Sequence, residues 1–115
     1  MQTMSQAARA YEAASGHRSQ REQEADLFRQ ANGALRQART AGPIARGRAI
    51  ADNRRLWLTV GDLMQDPANL LPIALRAAIV SVGLAVQREM DRPAPDFDFL
   101  ISINEQLAAG LSEQR

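Results

Sequence analysis

Along most of this chain, apolar residues return every three or four positions, and nothing between the glycines and prolines alternates with period two. That pattern predicts helices and no strands. Proline and glycine divide the chain into about five segments. The first, residues 4–14, is alanine-rich with Tyr11 as its only large ring, and Ser15-Gly16 is expected to end it. A helix that short is marginal alone, so residues 1–16 read as a short, mobile N-terminal helical segment that must dock or fray. Ser19-Gln20-Arg21-Glu22 matches a capping box, after which Leu27, Phe28, Ala31, Ala34, Leu35 and Ala38 recur at helical spacing until Gly42-Pro43 stops the run.

The third segment runs from Pro43 to just before Asp66-Pro67. At roughly 100° per residue, Ile50, Asn53, Trp57, Val60, Gly61 and Met64 share one side, widened by Ala49, Leu56 and Leu63. Trp57, the only tryptophan, sits mid-stripe and reads as a packed core ring. Arg48, Asp52, Arg55, Thr59 and Asp62 fall opposite. Arg54 lies on the border, and Leu58 lies outside the stripe next to it.

The fourth segment, Leu71–Val86, is apolar nearly all round, with Ala74, Ala77, Ser81 and Ala85 forming a strip of small residues. A helix without a polar face is buried or covered by a partner, so this one is expected at the centre of the bundle. Asp96 can cap a fifth helix, whose inner face carries Leu100, Ile103, Asn104, Leu107, Gly110 and Leu111. The expected architecture is all-α: a compact bundle of about five helices, one domain over residues 1–115.

Three polar residues interrupt apolar faces: Asn53, Arg76 and Asn104. Buried without partners, each costs about 1–3 kcal/mol or more. The two asparagines are therefore expected to bond across a helix interface or to backbone groups, fixing register. Arg76 should meet a carboxylate or helix-end carbonyls, or else a partner, since arginine is enriched at interfaces. Arg54, Leu58 and Arg76 are the candidate partner-contact residues.

Composition narrows the chemistry. A net charge of +1 gives no field that predicts nucleic-acid or membrane binding. All the basic residues are arginine, cysteine is absent, and His17 is the single histidine. Thiolate metal sites, iron–sulfur clusters and cysteine nucleophiles are excluded, and the glycines form neither a dinucleotide nor a phosphate-loop pattern. No catalytic constellation, metal site or cofactor site is legible, and neither an enzyme nor a small-molecule substrate is expected. Arg36, Arg39, Arg46, Arg48, Arg54 and Arg55 make a basic stretch that could meet phosphates, but no exposed aromatics interleave it for base stacking. The N-terminal residues lack a charged leader followed by an apolar run. Leu70–Val86, interrupted by Pro72, Arg76 and Ser81, is too short and broken to span a membrane well. A cytoplasmic protein without membrane insertion is expected.

The stretches "NRRLW" (residues 53–57), "LPIALRAAIVSV" (71–82) and "LISINEQLAAGL" (100–111), preceded by "AYEAA…REQEADLFRQANGALRQA" (10–38), resemble in order and spacing the FlaF family of bacterial flagellar biosynthesis regulators. The pattern departs from the family at Glu105, where arginine is common, and at Ala85-Val86, where a larger aromatic is common. The resemblance implies a non-enzymatic protein that binds flagellin as a secretion chaperone, acts with an FlbT-like regulator, and couples flagellin synthesis to filament assembly. The alternative is a post-transcriptional regulator that touches flagellin messenger RNA through Arg36–Arg55 or works through that partner regulator. Flagellin ends are long amphipathic segments, and a helical bundle with surplus apolar surface can bury one face of such a segment. The surplus here is the fourth segment, Leu58, and the N-terminal segment, which would act as a lid displaced by the partner.

Overall fold

The computed structural model describes the backbone of residues 2–114 and the side chains of residues 6, 7 and 20–114. Four helices account for the fold: α1 (Gln2–Ala38), α2 (Pro43–Gln65), α3 (Ile73–Met90) and α4 (Phe97–Glu113). No strand occurs among the described residues. The expected break at Ser15-Gly16 is absent, so there are four helices and not five. A glycine inside a helix costs only about 1 kcal/mol relative to alanine, and the flanking alanine, glutamine, glutamate and arginine residues favour continuation. The expectations for Tyr11, His17 and a displaceable N-terminal lid lie outside the described side chains.

The helices alternate in direction. Gly42 and Pro43 open α2; the glycine is extended (φ −75°, ψ 175°) and the proline sits where its missing N–H costs nothing. Asp96 opens α4 by accepting a 3.1 Å hydrogen bond from the Phe99 amide. α1 pairs most extensively with α4, α2 packs on both α1 and α3, and α3 leans chiefly on α2. The buried face of α1 is Ala25, Phe28, Asn32, Leu35 and Ala38. It meets Ala49, Trp57, Val60 and Met64 of α2 and Phe97, Leu100, Ala108 and Leu111 of α4 in one core. Phe28 stands edge-on to Trp57, ring centroids 5.4 Å apart, an arrangement favoured by the ring quadrupoles.

The expected central position of the apolar fourth segment is also corrected. α3 lies at the margin and buries only one side, through Ile79, Val86 and Met90. Half of its exposed residues are alanine, which is cheap to leave in water because it carries so little apolar surface, but Ile73 and Leu84 are exposed as well.

Candidate partner-binding surface

Polar side chains fix how α2, α3 and α4 meet. Trp57 Nε1 donates to Asn104 Oδ1 at 2.9 Å, and Asn104 Nδ2 donates to Asn53 Oδ1 at 2.8 Å. Asn53 Nδ2 in turn reaches the Met90 sulfur at 3.3 Å. Both asparagines are fully buried, so this chain of bonds satisfies groups that water cannot reach. It ties α2 to α4 and to the end of α3. A third buried asparagine, Asn32, escaped the sequence reading. Its Nδ2 donates to the Ile101 carbonyl at 3.0 Å, while its Oδ1 has no partner among the described residues. The signal was present: Asn32 is four residues after Phe28 and three before Leu35, on the same face.

Arg76 serves the end of α2. Its Nη1 donates to the carbonyls of Asp66 at 3.1 Å and Met64 at 3.4 Å, where a cation is favoured by the helix dipole. Asn69 assists, with Nδ2 on the Leu63 carbonyl at 2.9 Å and Oδ1 accepting from the Leu71 amide. Arg54 is engaged as well, 2.8 Å from Asp91 and 3.1 Å from Gln87 Oε1, both near the end of α3. Arg54 and Arg76 thus hold the α2–α3 hairpin from its two ends. Of the sequence candidates for partner contact, Leu58 alone has no such internal role; it is 58% exposed.

Other arginines of the 36–55 stretch are similarly occupied. Arg36 pairs with Glu105 and Arg39 with Asp98, both linking α1 to α4. Arg46 donates to the Arg39 carbonyl at 3.1 Å and stacks over the Phe97 ring, 4.8 Å from its centroid.

The open surface lies on α3. Ile73, Ala77 and Leu84 stand along one edge of its outer face, and Ala74, Ala78 and Ala85 along the other, all exposed. Ser81 and Arg88 run between them. Ile73 is 77% and Leu84 56% exposed. The hairpin contacts Arg54–Gln87 and Trp57–Gly83 set an antiparallel register that brings Leu58 to the level of Leu84. The result is an apolar strip the length of α3, flanked by Leu58 and carrying one charged group, Arg88, near its end. No other helix covers this strip among the described residues.

Among the described residues, no helix is long and apolar enough to cross a membrane and no cluster of three metal-ligating side chains is present. No curated protein and no solved structure matches the chain significantly. The model of the family described as flagellar protein FlaF matches residues 7–111, which include all four helices' buried faces. That family is regulatory and not known as one of enzymes. With nearly the whole sequence covered, the chain belongs to the FlaF family of flagellar proteins.

Proposed function

We propose that this protein binds flagellin in the cytoplasm, shields it before export, and through that occupancy couples flagellin synthesis to filament assembly. The observation that carries the reading is the uncovered apolar strip of α3 with Leu58, in a chain whose family is flagellar. An amphipathic helix of flagellin laid along α3 would present anchors at i, i+3, i+4 and i+7 to this strip and lose the exposed apolar face through which it polymerises.

The test is capture of purified flagellin by the immobilised protein at moderate salt. Wild type retains flagellin, and Leu84→Glu together with Leu58→Glu releases it while helical content stays unchanged. Retention by the double variant, or no capture by wild type, overturns the reading. The messenger-RNA alternative draws support from Arg48 and Arg55, which are exposed. It predicts binding of RNA that weakens steeply as salt rises. A protein that works only through a partner regulator would instead capture an FlbT-like regulator and not flagellin.

A further inference from the structure

We infer that the outer face of α3 is closed by a second copy of this chain when no flagellin is bound. The face is self-complementary. When two α3 helices are laid antiparallel about a two-fold axis at Ser81, each Leu84 falls opposite the Ala77–Ala78 pair of the other copy. A large side chain then meets small ones, which lets the helix axes approach to about 8 Å. A two-fold contact needs this property, because the same patch must fit itself.

Charge follows the same symmetry. Arg88 has no ion-pair partner among the described residues. The antiparallel register carries it to the opposite end of the other copy's α3, level with Asp66 at the end of α2, whose carboxylate accepts from the Ala68 amide and is in no ion pair among the described residues. The area reaches the lower bound of a specific interface. α3 is 18 residues long, or about 27 Å, and with the flank of α2 the face is about 20 Å wide. That is about 500 Å² per copy, close to the roughly 1,000 Å² in total that a specific interface needs.

The consequence is a competition between the pairing and flagellin for one face. The competition rests on the flagellin reading; the pairing does not. Free protein would be stored with its apolar strip covered, and flagellin would have to displace the second copy.

The chain has no cysteine, so Ser81→Cys places a single thiol on the two-fold axis. Light scattering after size exclusion at tens of micromolar is expected to give twice the chain mass. Oxidised Ser81→Cys is expected to form a covalent dimer, whereas Ser102→Cys on the exposed side of α4 is not. Leu84→Glu and Arg88→Glu each give monomer, and Arg88→Glu with Asp66→Arg restores the dimer. Monomeric wild type without a Ser81→Cys cross-link overturns the pairing. A dimer that survives saturating flagellin in a ternary complex overturns the competition. A dimer that forms while flagellin is not captured leaves the pairing intact and removes the flagellin reading instead.

Discussion

The Trp57 indole lies so close to Gly83 that a β-carbon on the glycine would sit 3.2 Å from Cε3 and 3.6 Å from Cζ3. Helix α3 can approach α2 at this level because residue 83 has no side chain. Trp57 has little room to yield, since Phe28 stands against its ring and Asn104 holds its Nε1.

Gly83→Ala is therefore expected to destabilise the fold despite its better helix propensity. Alanine gains about 1 kcal/mol in a helix interior, but overpacking costs about 1–3 kcal/mol, so a net loss of about 1 kcal/mol follows. Gly61→Ala should do the reverse, because its β-carbon would meet nothing within 4 Å; a gain of about 0.5–1 kcal/mol is expected. Thermal midpoints of the two variants should move in opposite directions. A rise for both would mean that the ring shifts freely.

The Trp57–Asn104–Asn53 chain predicts an order of costs. Asn104→Ala strips Trp57 Nε1 of its acceptor and Asn53 Oδ1 of its donor, two buried groups at about 1–3 kcal/mol each. Asn53→Ala orphans only Asn104 Nδ2 and loses a weak contact to sulfur. Denaturant melts should rank Asn104→Ala as the more damaging, with the double variant less costly than the sum because the two share one bond. An Asn53→Ala protein as stable as wild type would remove the structural account of this residue.

How much of this was legible follows from where the periodic signal is strong. On α2, Asn53, Trp57, Val60 and Met64 formed a stripe in the sequence and are buried together, because a 23-residue amphipathic run fixes its own phase. On α1 the phase slipped. Leu27 pulled the predicted face towards it, yet Leu27 is 47% exposed and the buried edge is Ala25 and Asn32. Alanine and asparagine carry little weight in a hydropathy pattern, so the tertiary contact with α4 decided the face. α3 is misplaced for a different reason: its stretch is apolar nearly all round, only Ser81 and Arg88, seven residues apart, mark the outer face, and nothing local says whether the covering surface belongs to the same chain. The proximity of Gly83 to Trp57 was invisible for a related reason, since it depends on hairpin register.

Arg76 can be assigned by separating stability from binding. Arg76→Met keeps the length of the side chain but leaves the carbonyls of Met64 and Asp66 without their donor. A loss of about 1 kcal/mol is expected, with capture of flagellin unchanged under conditions where the variant is folded. Arg54→Met, which gives up Asp91 and Gln87, should cost less, because its pair is more exposed and such pairs contribute about 0.2–1 kcal/mol. Chemical melts and flagellin capture on the same preparations check both. Unchanged stability with lost capture would move either arginine to the contact surface.

Asn32 should behave unlike the other two buried asparagines. Only one end of its amide is satisfied, by the Ile101 carbonyl, and its Oδ1 is buried without a partner among the described residues. The Ile101 carbonyl lies inside α4, where the helix's own ladder supplies it with a donor. Asn32→Leu therefore removes one unpaired acceptor and orphans nothing. An open groove of about 210 Å³ beside it, lined by Arg29, Arg36, Glu105 and Ala108, leaves space for the larger side chain. The expected outcome is a stability equal to wild type or higher by about 1 kcal/mol. The energy so gained would come at the expense of register, since a polar group at an otherwise apolar seam excludes shifted pairings of α1 and α4. Amide exchange along α1 and α4 provides the second readout, with faster exchange expected in Asn32→Leu despite its higher midpoint. A fall in midpoint comparable to that of Asn104→Ala would show that Oδ1 is satisfied in solution.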